Sequence, residues 1–80
     1  MVDQTIIYGT AWCGDTRRAR AIFDRNHIPY LWIDIDRNLE GRMFVEKTNR
    51  GFISVPTIVF PDGSIMVEPG EEELRKKLGI

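Results

Sequence analysis

The stretch Thr5-Ile6-Ile7-Tyr8-Gly9-Thr10-Ala11-Trp12-Cys13-Gly14-Asp15-Thr16 decides the fold. Its first four residues are a short apolar, β-branched run ended by Gly9, which predicts a buried strand. Thr10 to Gly14 read as a loop, and from Asp15 to about Asn26 the residues favour helix. Ala19, Ile22 and Phe23 lie at i, i+3 and i+4 and make one apolar stripe, while Arg17, Arg18, Arg20, Asp24 and Arg25 cover the other faces.

Working outward, Pro29 forces an extended start to Tyr30-Leu31-Trp32-Ile33-Asp34-Ile35. The near-continuous apolarity of that run predicts a parallel strand covered on both faces. Asp36-Arg37-Asn38 offers an N-cap, and Leu39 to Asn49 reads as a second helix closed by Gly51. Ser54-Val55-Pro56 leads into a third strand, Thr57-Ile58-Val59-Phe60. Pro61-Asp62-Gly63 has the chemistry of a tight turn, so Ser64 to Val67 is a fourth strand, antiparallel to the third. Pro69-Gly70 breaks it. Glu71 to Leu78 forms a last helix with Leu74 and Leu78 inward and the pairs Glu71–Arg75, Glu72–Lys76 and Glu73–Lys77 at i, i+4. Gly79 stands where a helix-ending glycine belongs. The order βαβαββα is that of an α/β fold: one domain over residues 1–80, a mixed four-stranded sheet with helices on both faces. Trp32, Phe44, Phe52 and Phe60 are expected in its core.

Composition narrows the function. Hydrophobic residues are 42% and charged residues 29%, a mix that suits a packed domain and argues against disorder. Eleven basic against twelve acidic residues leave a formal charge of −1, so neither nucleic acid nor a membrane surface is an expected partner. No apolar run approaches the ~20 residues that span a bilayer, and the first residues lack the pattern of a signal peptide. The chain is expected to be a cytoplasmic monomer. Its single cysteine, Cys13, excludes an internal disulfide and a metal site built from several cysteines; no metal ligands are assigned.

The chemistry centres on Trp12-Cys13-Gly14-Asp15-Thr16. Topology puts Cys13 at the carboxyl end of a parallel strand, the edge where open α/β sheets bind ligands. It also lies at a helix start, where unpaired N–H groups and the helix dipole favour an anion such as a thiolate. Arg17 and Arg18 add positive charge nearby and Asp15 opposes it. The thiolate is the nucleophile of thiol–disulfide exchange, and the bland alternative is a small buried hydrophobe. His27, the only histidine, follows a helix of about 12 residues and so lies about 18 Å from Cys13. A Cys–His catalytic pair is therefore excluded.

Tyr8-Gly9-Thr10-Ala11-Trp12-Cys13-Gly14, Ser54-Val55-Pro56-Thr57 and Phe60-Pro61-Asp62-Gly63-Ser64 carry a resemblance. In order and spacing the chain resembles the glutaredoxin family of the thioredoxin fold, most of all its small, mycoredoxin-like members. The resemblance implies that Cys13 is the nucleophile and that the Val55–Pro56 bond is cis and faces it. It implies too that the Val55 backbone pairs, strand-like, with the cysteinyl part of a bound low-molecular-weight thiol. Trp12, Gly14, Asp15 and Arg17 would flank that thiol.

Two departures qualify what the family implies. The usual motif is Cys-x-x-Cys, and here its fourth position is Thr16, a hydroxyl that cannot resolve a mixed disulfide. A monothiol cycle remains, with Thr16 either donating to the Cys13 thiolate or serving as an ordinary first-turn residue. Many members also carry Gly-Gly and acidic residues after the hairpin to hold the ends of glutathione; here the stretch is Val67-Glu68-Pro69-Gly70-Glu71-Glu72. Gly70 and Glu71 at a helix start offer backbone N–H groups to a carboxylate, but glutathione is no more expected than mycothiol or another small thiol. Arg42, Lys47 and Arg50 read as a solvated face, with a carboxylate of the bound thiol as the alternative partner. The expected function is reduction of protein–small-thiol mixed disulfides, with the small thiol as co-substrate and no resident cofactor. Two other readings stand beside it: a carrier that bridges a [2Fe–2S] cluster between two chains, and a redox-silent interaction module.

Overall fold

The computed structural model describes residues 3–80. In chain order the elements are β1 (Thr5–Gly9), α1 (Gly14–Arg25), β2 (Tyr30–Asp34), α2 (Leu39–Thr48), β3 (Thr57–Val59), β4 (Ile65–Val67) and α3 (Glu71–Leu78). The expected βαβαββα order holds. The strands lie in the order β2-β1-β3-β4, with β1 parallel to β2 and antiparallel to β3, and β3 antiparallel to β4.

Successive strand residues point to opposite faces, and this sorts the helices. Ile7 of β1 and Ile58 of β3, register partners, join Ala19, Ile22 and Phe23 of α1 and Leu74 of α3 in one buried cluster. Tyr8, on the opposite face, stacks on Phe44 of α2 with ring centroids 4.7 Å apart. So α1 and α3 cover one face and α2 the other. α2 starts at Asn38, whose side chain accepts the Gly41 N–H at 2.7 Å. A Cβ on Gly41 would lie 2.7 Å from Ile33 Cγ2, so this close helix–sheet approach requires glycine.

Three expectations are corrected. β2 is an edge strand, paired on one side only, and Leu31 is exposed; its apolar run is partly covered by polar neighbours, with the Arg20 guanidinium 3.9 Å from the centroid of Trp32. Phe52 is not core but 70% exposed, because Arg50 (φ 57°) and Gly51 (φ 94°) reverse the chain after α2 and leave it outside. The charge pairs expected along α3 do not form among the described residues. Glu73 instead accepts the Gly70 N–H at 3.1 Å, capping the helix, and Lys77 reaches Asp62 in the β3–β4 turn at 2.9 Å.

Candidate active site

Gly9 ends β1, and the loop behind it closes through the Cys13 N–H, which donates to the Thr10 carbonyl at 3.3 Å. Cys13 is the N-cap of α1, in extended conformation, and its carbonyl accepts the first helical bond from Arg17 N–H at 3.0 Å. Among the described residues, no side-chain cap hydrogen bond is made at this helix start. Cys13 is half-buried, and its Sγ lies 3.9 Å from the Val55 carbonyl oxygen. The Val55–Pro56 bond is cis, and Pro56 is buried. Nucleophile and proline loop thus meet across 42 residues of sequence.

The proline loop is held from both sides. Thr57 Oγ1 donates to the Ser54 carbonyl at 2.7 Å and accepts from Asn49 Nδ2 at 3.1 Å, which ties the loop to the end of α2. On the other side the Glu68 N–H donates to the Pro56 carbonyl at 2.9 Å. Sequence reasoning had no signal for Asn49, but Glu68, in the left-handed region at φ 48°, sits where the hairpin hands over to α3.

The remaining expected residues separate. Thr16 is fully buried, and its hydroxyl has no hydrogen-bond partner among the described residues, so it does not donate to the Cys13 sulfur. It packs on β1 at Gly9, where a Cβ would come within 2.5 Å of Thr16 Cγ2. Trp12 is 74% exposed and its indole N–H donates to Asp36 at 2.9 Å, a partner that sequence reasoning missed. Gly14 and Arg17 are exposed on the first turns of α1. Asp15, Gly70 and Glu71 come together: with Arg18 and Glu68 they line a cavity of about 300 Å³ between α1 and the segment leading into α3. Arg17 is not in its lining, and Arg18 forms an ion pair with Asp15 across its rim. His27 is exposed beyond the far end of α1.

A strand-to-helix turn carrying a half-buried cysteine against a cis-proline loop, on a four-stranded mixed sheet flanked by three helices, defines a thioredoxin-fold thiol protein. The thioredoxin-like protein BC3987, solved as a variant, superposes with a TM-score of 0.84 over 99% of both chains at 20% identity, which shows the fold. The glutaredoxin family model matches residues 5–65, and the chain belongs to that family. A protein of Mycobacterium tuberculosis that carries the glutaredoxin name, found in two strains, is 39% identical over 72 residues, 90% of this chain and 86% of its own length. The glutaredoxin of Methanosarcina mazei superposes with a TM-score of 0.76 at 26% identity, over 96% of this chain and 79% of that one. The corresponding values for the Archaeoglobus fulgidus glutaredoxin are 0.74 and 25%, over 94% and 85%.

Proposed function

We propose that this glutaredoxin reduces mixed disulfides between proteins and small thiols by a monothiol cycle on Cys13. The observation that carries the reading is the meeting of the chain's only cysteine with the Val55–Pro56 loop, Sγ 3.9 Å from the Val55 oxygen. The Cys13 thiolate attacks the small-thiol sulfur of a protein–S–S–R disulfide. A Cys13–S–S–R bond forms, the protein–S bond breaks, and the protein leaves as a thiolate that takes up a proton. A second R–S⁻ attacks the sulfur of R, giving R–S–S–R and freeing the Cys13 thiolate. The sum is protein–S–S–R + R–SH → protein–SH + R–S–S–R: one free small thiol is consumed per turn, one disulfide replaces another, and no second protein cysteine is needed.

This chain's residues hold the participants. The uncapped N–H groups of α1 stabilise the thiolate each time it is released. The Val55 backbone pairs with the cysteinyl part of R, and the cavity between Asp15 and Glu71 takes the rest of it. The test is steady-state turnover of a small-thiol-modified peptide with the matching thiol, supplied with glutathione, mycothiol or bacillithiol. The reading requires ping-pong kinetics with at least one of them and complete loss in Cys13→Ser. No turnover with any thiol, while Cys13 still alkylates normally, would end it.

A further inference from the structure

We infer that Asp36 is a positioning residue for the exchange at Cys13: it holds the Trp12 indole beside the thiol as a fixed wall for the polypeptide that carries the disulfide. The inference rests on the proposed exchange and concerns how that site receives the protein part of its substrate.

The sheet order sets two groups on opposite sides of Cys13. β1, which leads to Cys13, lies between β2 and β3. Val55 stands two residues before β3, and its carbonyl oxygen lies 3.9 Å from Sγ. Asp36 stands two residues after β2 and accepts the Trp12 indole N–H at 2.9 Å. The indole is therefore tethered on the β2 side of the site, across from the Val55 loop that takes the small thiol in the proposed cycle. Asp36 is itself placed by its N–H, which donates to Asp34 Oδ1 at 3.0 Å.

Trp12 is 74% exposed, so burial in the fold does not account for its being held. A hydrogen bond to a carboxylate fixes the ring. A large apolar face fixed in advance gives up little conformational freedom when a partner packs on it. Leu39, the first residue of α2, follows Asp36 by three residues and adds a second exposed apolar side chain to this junction. The chemistry this wall favours is apolar side chains next to the modified cysteine.

The experiment measures kcat and KM for two small-thiol-modified peptides of equal length and charge, with leucines flanking the modified cysteine in one and serines in the other. In the parent chain KM should be about fivefold lower for the leucine peptide. Trp12→Ala and Asp36→Leu should both lose that preference, with the Asp36→Leu effect in KM rather than kcat. Asp36→Asn, which still offers the indole an oxygen, should keep it. In Asp36→Leu the Trp12 indole N–H signal should shift and exchange faster with solvent. No preference in the parent, or an Asp36→Leu variant with the parent's preference, overturns the inference. So does Asp36→Asn behaving like Asp36→Leu, which would assign the effect to charge. An equal loss of rate in Asp36→Leu with bis(2-hydroxyethyl) disulfide, which carries no polypeptide, also overturns it, because the effect then lies on the thiol or the fold. Each of these results leaves the exchange reading standing, whereas no turnover of either peptide with any thiol overturns both.

Discussion

Thr16 occupies the place where a dithiol member of the family carries its second sulfur, and the fold uses it as packing. It has no exposed surface, it abuts Gly9, and its hydroxyl is unpaired. A buried, unbonded hydroxyl costs stability, so its retention is not explained by its polar atom. The contact with Gly9 is checkable. In Gly9→Ala the new methyl meets Thr16 Cγ2 at 2.5 Å and Oγ1 at 2.7 Å, and a packed interior does not yield freely. Chemical denaturation should show a loss of about 1–3 kcal/mol for Gly9→Ala. Adding Thr16→Ala should recover most of that loss, a coupling that additive effects would not produce. Cys13→Ser, by contrast, should leave the denaturation midpoint within about 0.5 kcal/mol of the parent while exchange disappears. Its sulfur is only half-buried, bridges nothing, and is replaced by a near-isosteric oxygen.

At the scale of elements, local signals carried well and tertiary ones did not. The β-branched run Thr5–Tyr8, the apolar stripe of α1, and Pro61-Asp62-Gly63 each act within a few residues, and each element they predict is present to within a residue or so of its bounds. The misses are long-range. An apolar strand looks alike at the centre or the edge of a sheet, so the place of β2 was not legible in Tyr30–Ile35. Acid–base spacing along α3 predicted pairs within the helix, but Lys77 found a better partner in the neighbouring turn, where Asp62 also accepts from Ser64 N–H and Oγ. Within the site, Cys13 and Pro56 were legible as motifs and Arg18 as a nearby charge, whereas the cavity that sets Asp15 and Arg18 opposite Glu68 and Glu71 exists only once the chain folds.

Those contacts hold the Asp62 carboxyl well below the usual carboxylate range; the Ser64 side-chain hydrogen bond is the largest cause, followed by Lys77. The folded group therefore stays ionised at pH values where the unfolded one is protonated. Its stabilisation is complete above the ordinary carboxylate pKa and is lost as pH falls through the lower folded value. Asp62→Asn should lower the urea midpoint near neutral pH, and the two curves should converge in strong acid. A constant offset down to strong acid would mean that the ionised carboxylate is not what stabilises the turn. α2 offers a separate check. Asn38→Ala removes the cap on Gly41 N–H and should cost about 1 kcal/mol by urea denaturation.

For the molecule as a whole, the sheet order places the Cys13 thiol just beyond the end of a central strand. β1 is paired on both sides, β2 and β4 on one. Amide exchange should be slowest in β1 and β3, and at least about tenfold faster in the three-residue edge strand β4. The cysteine thus follows a strand paired on both sides, and the segments nearest it in the fold are junctions: the proline loop and the first turn of α1.

The claim on which the rest depends is that one sulfur completes the catalytic cycle. Intact-mass spectrometry of the chain, quenched during turnover of a small-thiol-modified peptide, tests it most directly. The account predicts a single adduct of the mass of the small thiol, located on Cys13, which disappears when more of that thiol is added and is absent from Cys13→Ser. A chain that turns over substrate without ever carrying the small thiol, or that carries the peptide itself on Cys13 as its stable intermediate, would contradict it.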